Sequence, residues 1–207
     1  AQAYPDIGFG VVLPRVVWDR ELPRLRRELE AARQAGVTQA LLGHIGQLPL
    51  ARSFGLIPRG DFGLGLTNDE TAAELARLGF ASATASFESR LAQIRDLSKP
   101  LDLELLVYGR LPLMLMEHCI LRNRGQGCHC QDKPQSLGDR KGEHFPVESA
   151  WGCRNELFNA KPLWLADKTD WRTAGAAYAR LAFLREGPGE CARVFRAYRE
   201  GAGGPPR

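Results

Sequence analysis

Residues 7–42, IGFGVVLPRVVWDRELPRLRRELEAARQAGVTQALL, decide the fold class. Ile7 to Leu13 is a short apolar run rich in β-branched residues. A segment from about Trp18 to Ala35 follows, with Leu22, Leu25, Leu29 and Ala32 at helical spacing. Gly36 stops the helix, and Val37 to Leu42 is apolar again. Strand, helix and strand in about 36 residues make one β/α step, and strands so joined are parallel.

The pattern repeats. Val37 to Leu42 leads through Gly43-His44-Ile45-Gly46 into a short helix near Leu48 to Phe54. Phe62 to Leu66 is read as the next strand, with Asp69 as N-cap of a helix over Glu70 to Leu78 that ends at Gly79. Ala81 to Phe87 precedes a helix from Glu88 to Leu97. Leu101 to Tyr108 precedes the run Gly109 to Cys119, whose Pro-Leu-Met core is read as helical. Five strand candidates fall short of a closed eight-stranded barrel. The expected class is therefore α/β, with parallel β/α units resembling part of a TIM-like barrel.

In such sheets functional groups collect at the carboxyl ends of the strands. Those ends supply candidate substrate-binding residues Arg15, His44, Asn68 and Glu88, and, after the last strand, Tyr108, Arg110 and Glu117 as candidate catalytic residues. Arg110 can bind a phosphate or carboxylate and Glu117 can act as acid or base. A structural role for both, holding the following segment against the sheet, is the competing reading.

Beyond about Gly125 the pattern breaks into a polar, Gly-rich, cysteine-bearing stretch and then a hairpin around Asp139 to Val147, with Lys141-Gly142 in its turn. Arg140, beside Asp139, is a further candidate for binding an anion. A small α+β tail closes the chain: a strand Pro162 to Ala166, a helix Trp171 to Ala176, a strand Tyr178 to Leu184 and a helix Gly189 to Tyr198. The expected division is 1–118 for the barrel-like portion, 119–160 for the cysteine-rich segment, 161–200 for the closing elements and 201–207 for a flexible tail.

The 207 residues are long enough to bury a sizeable core, and 44% hydrophobic with 25% charged is ordinary globular composition. No apolar run is long enough to cross a bilayer as a helix. The first residues, Ala1 to Asp6, carry neither an initiator Met nor a signal-peptide layout and read as a trimmed or processed start; a cytoplasmic location is expected. Net charge is +4, with 23 Arg against 5 Lys. Guanidinium groups suit phosphate contacts, which keeps an RNA partner in view, while a GC-rich genome raises Arg without any function.

Cysteines lie at 119, 128, 130, 153 and 191, all in the second half, and the first four follow C-x8-C-x-C-x22-C. Thiolates gathered on loops suit an iron-sulfur cluster or structural zinc. Spacing alone leaves buried or incidental thiols as an equal reading, since no C-x2-C pair is present. His118, His129 and His144 flank the group, and Cys191 fits the core side of the last helix with Val194, Phe195 and Tyr198. Neither an H-E-x-x-H motif nor a recognisable nucleophile with its base is present.

Five ordered blocks carry a resemblance: Val107-Tyr-Gly-Arg-Leu-Pro-Leu-Met114, Glu117-His-Cys119, Leu137-Gly-Asp-Arg-Lys-Gly-Glu-His-Phe-Pro-Val147, Gly152-Cys-Arg-Asn155 and Asn159-Ala-Lys-Pro-Leu163. Together they resemble the collagenase-like peptidase family, the U-32 peptidases, most strongly over 103–167. The resemblance implies a barrel-like catalytic domain followed by a cysteine-rich segment. The family includes proteins named peptidases and iron-sulfur proteins of oxygen-independent hydroxylation of RNA or ubiquinone precursors. It implies Cys119, Cys128, Cys130 and Cys153 as metal ligands, for an iron-sulfur cluster or alternatively zinc. The chain resembles the carboxy-terminal portion or second copy of a long member, so a missing amino-terminal barrel portion, or another chain covering exposed sheet edges, is expected. RNA hydroxylation is the function it implies first; a peptidase, and a non-catalytic structural or RNA-binding module, are the alternatives. His44 stands where the family has an Asn in a Gly-Asn-x-Gly turn.

Overall fold

The computed structural model describes residues 4–122, 134–168 and 170–200. It is a mixed α/β chain: a parallel, strongly curled half-barrel sheet and a small antiparallel sheet. Two compact units divide it, the first comprising Ala1–Leu106 with Asp170–Arg180, the second Val107–Thr169 with Leu181–Arg207.

The first unit is the β/α repeat. Strand β1 (Gly10–Val12), helix α1 (Leu22–Gln34), β2 (Gln39–Leu42), α2 (Leu48–Ser53), β3 (Ile57–Gly60), α3 (Asp69–Arg77), β4 (Ser82–Thr84), α4 (Leu91–Asp96) and the start of β5 (Asp102–Gly109) follow one another. The strands pair in sequence order, each parallel to the next. Helix α1 starts with Pro23 in its first turn, where the missing N–H costs nothing, and buries Leu25 and Leu29. Each such leucine contributes about 1.5–3 kcal/mol by leaving water.

Register sorts the strand residues onto two faces. Ala40, Leu42, Gly60, Ala83, Leu103 and Leu105 share one face and are buried. Val12, Gln39, Leu41, Ile57, Arg59, Ser82, Thr84, Asp102 and Glu104 share the other. A strand buried on one face and polar on the other shows the period-2 alternation that LDLELLVY displays.

Several expected elements are corrected. Residues 62–66 are not a strand: Phe62–Leu64 is a 3-10 turn begun by Asp61, whose Oδ1 accepts from Phe62 N at 2.9 Å. The strand is Ile57–Gly60, which Pro58 and Gly60 disguise as a turn. Pro58 still serves the ladder, because its carbonyl accepts from Ala81 N at 2.9 Å. Asn68, rather than Asp69, caps α3 by accepting from Thr71 N at 2.9 Å, and Asp69 accepts from Ser98 N at 2.8 Å instead. Trp171 to Ala176 is not an α-helix; a 3-10 turn runs Asp170–Thr173.

The second unit holds the end of β5, then β6 (Pro112–Met116), β7 (Gln135–Gly138), β8 (His144–Ala150), β9 (Arg154–Phe158), β10 (Leu163–Trp164), the end of β11 (Tyr178–Ala182) and α5 (Pro188–Glu200). The Pro-Leu-Met run is therefore a strand and not a helix. Antiparallel pairing with β9 satisfies its backbone, with a register shift between Pro112 and Met114. The small sheet has the order β6-β9-β8-β7, and β10 pairs antiparallel with the last residues of β5. The expected hairpin joins β7 to β8. Asp139 Oδ1 accepts from Lys141 N (2.8 Å) and Glu143 N (2.9 Å), so this carboxylate builds the turn. At Gly109 (φ 131°) a side chain would place its Cβ 2.3 Å from the carbonyl oxygen of Ala182, which makes glycine obligatory there.

Candidate functional site

In the first unit, the carboxyl ends of β1 and β2 meet around Gln47. This side chain is 8% exposed; its Nε2 donates to Pro14 O and its Oε1 accepts from His44 N at 3.3 Å. His44 begins the turn after β2, and its Nδ1 accepts from Gly46 N at 3.0 Å. A neutral imidazole that accepts at Nδ1 carries its proton on Nε2, so His44 presents an N–H donor. Arg15 crosses over Gly43, and its guanidinium stands 5.4 Å from the centre of the Phe62 ring. The backbone after β3 comes close enough that a Cβ on Gly63 would sit 2.5 Å from Gly43 O. Arg15 and His44 thus line one cleft, with Val17, Asp19, Leu22, Leu25 and Leu50 among its walls. Asn68 is spent on capping α3, and Glu88 is exposed, its N–H donating to Ser86 Oγ at 3.3 Å.

The polar sheet face was not singled out from sequence. Arg180 reaches Asp61 Oδ1 (Nη1, 2.6 Å), Thr84 Oγ1 (Nη2, 2.8 Å) and Glu104 Oε1. Thr84 Oγ1 also donates, with partners Glu104 Oε1 at 2.8 Å and Gly60 O at 3.1 Å. One strand position away, Arg59 donates to Gln39 Oε1 and to Ser82 Oγ (2.7 Å) and stands 5.0 Å from the Tyr178 ring centre. The signal was present in Asp102 and Glu104 alternating with Leu103 and Leu105, but placing the strand at 62–66 left 57–60 without an element and hid Arg59 and Asp61.

In the second unit, Tyr108 is fully buried among Trp164, Phe183 and Tyr198, with ring centres at 5.9, 5.4 and 6.3 Å. Its hydroxyl donates to Glu186 Oε1 at 2.9 Å. Burial, with Glu186 beside it, pushes this phenol well above the ordinary tyrosine range, so it stays a neutral donor. Tyr198 donates to Val107 O and accepts from Leu165 N at 2.7 Å, and burial raises its phenol too. Arg110 donates to the carbonyls of Asn159 and Ala160. Tyr108 and Arg110 accordingly hold main chain and core together.

Glu117 binds Arg154, whose Nε donates at 2.6 Å and Nη2 at 3.2 Å, a two-point pair with the guanidinium 2% exposed. Arg154 Nη1 also donates to Trp151 O at 2.9 Å. Next to it, Asn155 Oδ1 accepts from Ile120 N at 2.8 Å. Since Met116 and Asn155 are direct partners in the β6/β9 ladder, Cys119 and Cys153 leave the same end of the small sheet. Cys119 is half-buried and Cys153 exposed, both as free thiols. Gly152 and Cys153 are successive left-handed residues (φ 70° and 62°), a conformation that costs a non-glycine residue energy.

Cys128, Cys130 and His129 lie outside the described residues, as do residues 201–207. Among the described residues no three His, Cys, Asp or Glu side chains converge as a metal-binding group. Arg140 is exposed on the hairpin. Ser136 Oγ and His144 Nδ1 are 3.4 Å apart on the exposed hairpin. That contact uses the ring nitrogen that a serine-peptidase base turns to its carboxylate. Cys191 is half-buried, its Sγ 3.5 Å from Glu186 O. No described helix is long and apolar enough to cross a membrane. No protein-family model, curated protein or solved structure matches the chain.

Proposed function

We propose that this chain is a domain of a collagenase-like, U-32-type protein whose cysteine-rich segment holds an iron-sulfur cluster and which serves in RNA base hydroxylation. One observation carries the reading: Cys119 and Cys153, 34 positions apart in sequence (153 minus 119), leave the same end of one sheet and are tied there by two independent contacts, Glu117 with Arg154 and Ile120 with Asn155. A free thiol on a strained left-handed residue is the kind of outlier that function maintains. The residues fit a metal centre in kind: Cys119 and Cys153 would hold it, with Cys128 and Cys130 completing the four thiolates, and a cluster so held supplies electron transfer or an open iron. The chain's own part is mechanical. Arg154 anchors the Cys119 loop to the Cys153 loop, and Glu117 neutralises the buried guanidinium.

The open sheet face supports the incomplete-barrel part of the reading. Val12 is 70% exposed and Ile57 46% exposed on the face that a closed TIM-like barrel fills with side chains. Among the described residues β1 pairs only with β2, so an amino-terminal barrel portion or another chain has an edge to complete. The RNA substrate follows from the family resemblance, to which the excess of arginine over lysine, 23 against 5, adds a chemically suitable composition.

The test is iron and acid-labile sulfide analysis with a visible spectrum on protein purified without oxygen, beside Cys153→Ala. Iron and sulfide in the parent, lost in the variant, are expected. Stoichiometric zinc, or no metal, overturns the cluster and leaves the cysteines as a structural staple.

A further inference from the structure

We propose that the exposed face of α5 on one copy of this chain docks into a groove beside α3 on another copy, so that the protein self-associates head to tail, independently of any cluster chemistry. The groove, of about 450 Å³, lies between α3 and the turns that follow β2 and β3. Ile45, Leu64, Leu75 and Leu78 give it an apolar floor, and Glu70 and Glu74 stand along it. Ile45 is left 45% exposed there. Glu74 is already shared with Arg77, but the Glu70 carboxylate has neither a hydrogen bond nor an ion pair among the described residues. An apolar trough beside one uncommitted carboxylate is complementary to an apolar side chain beside a cation.

The chain carries that pair of groups itself. Helix α5 buries Val194, Ala197 and Tyr198 and leaves Phe195 outside, 56% exposed. Arg199 follows Phe195 by four residues on the same helix face, with Arg196 beside them. The guanidinium groups of Arg196 and Arg199 are unbonded among the described residues, whereas Arg193 faces Glu190 at 3.6 Å. Glu200, the next residue, sits about 100° round the helix from Arg199. If Arg199 meets Glu70, Phe195 lies about 6 Å further along the axis and reaches the floor beside Leu75 only when α5 runs antiparallel to α3. Glu190, near the start of α5, then comes to the end of α3 marked by Arg77 and by Arg52, whose Nη2 donates to Leu78 O. Opposed helix dipoles favour the same orientation. Each copy has one such groove and one such helix, so the contact is heterologous. A single aromatic anchor that buries on the order of 150 Å² with an ion pair at its rim makes a weak, reversible contact.

The experiment is sedimentation equilibrium of the full chain from about 10 µM to about 1 mM, the range in which so weak a contact is populated. The parent is expected to self-associate, and Phe195→Ser, Glu70→Arg and Arg199→Glu should each weaken the association roughly tenfold or more. The two charge reversals supply the decisive arm, because each alone sets like charges against each other. Mixed in equal amounts, the groove of Glu70→Arg meets the helix of Arg199→Glu, and the unaltered groove meets the unaltered helix. Association should then return to within about threefold of the parent. A parent that stays monomeric up to about 1 mM overturns the proposal. So does association that none of the three changes weakens, which would place the contact elsewhere, such as the free edge of β1, and so does a mixture that associates no better than either variant alone.

Discussion

The two sheets bury charge for different ends. On the parallel sheet of the first unit, Arg180 is inserted between Asp61, just past β3, and Thr84 and Glu104 on β4 and β5, and covers a face that half a barrel leaves without apolar filling. Beside the antiparallel sheet of the second unit, Arg154 is buried more deeply, 2% exposed at its side chain against 17% for Arg180, and its bonds to Glu117 and to Trp151 O join segments that carry cysteines. The first charge stands in for missing core; the second joins two segments distant in sequence. Burial of a cation is costly in both, so each depends on its carboxylates.

The strongest way to break this contrast is Arg180→Met. It leaves Asp61 and Glu104, 8% and 20% exposed at their side chains, facing each other without a cation. Removing one partner of a buried ionic cluster costs about 3–5 kcal/mol. Urea unfolding at neutral pH should show that loss, and adding Glu104→Gln to Arg180→Met should recover part of it. A loss under about 1 kcal/mol for Arg180→Met would mean that water reaches the face and the cluster is only surface charge.

Glu117→Ala sharpens the other half of the comparison. Arg154 keeps only its bond to Trp151 O among the contacts described above and stays buried, while Glu117 itself is half exposed, which screens the pair. The expected loss is about 2 kcal/mol, below that for Arg180. The diagnostic readout is local: faster hydrogen exchange at Ile120 and Arg154, with amides of β2 to β4 unchanged. Spread of the effect to those strands would erase the distinction between the two charges.

Much of this was legible in sequence where one signal dominated. The β/α repeat stands because α1 and α3 alternate leucines and alanines at helical spacing between strands that carry apolar runs. The turn at Lys141-Gly142 was readable because Asp139 and Gly142 are turn chemistry wherever they fall. Reading failed where tertiary pairing overrides local cues. Residues Ile57–Gly60 make a strand despite a proline and a glycine, because β2 and β4 pair with it on both sides. Pro112–Met116 is a strand because β9 lies beside it, although nothing local separates five apolar residues of a strand from those of a helix. Of the candidate site, Arg15 and His44 line one cleft, and Cys119 and Cys153 leave the same end of the small sheet. Tyr108 and Arg110 were selected for their place at a strand end, where Tyr108 is packed in the core near the end of β5 and Arg110, just past it, is bonded to the carbonyls of Asn159 and Ala160.

Glu186 gives the smallest effect and the one with a pH signature. Burial alone would raise its carboxyl, but the N–H groups of Leu184 (2.6 Å) and Arg185 (3.0 Å) and the Tyr108 hydroxyl donate to it, and together they hold it below the usual carboxylate value. A carboxyl depressed in the folded state binds fewer protons there than in the unfolded chain, so its contribution is complete above the unfolded pKa. It is lost as pH falls through the lower, folded value. The difference in urea midpoint between the parent and Glu186→Gln should therefore be constant from pH 7 down to about 5 and then shrink toward pH 3. Tyr108, raised by burial, stays protonated throughout and adds no slope in this range. The second unit would then owe part of its acid sensitivity to one carboxylate held, among the described residues, by hydrogen bonds from Leu184, Arg185 and Tyr108, in contrast with the Arg180 cluster, where carboxylates are matched by a cation. A difference that is flat from pH 7 to pH 3, or one that grows on acidification, would show that Glu186 is not held by those donors.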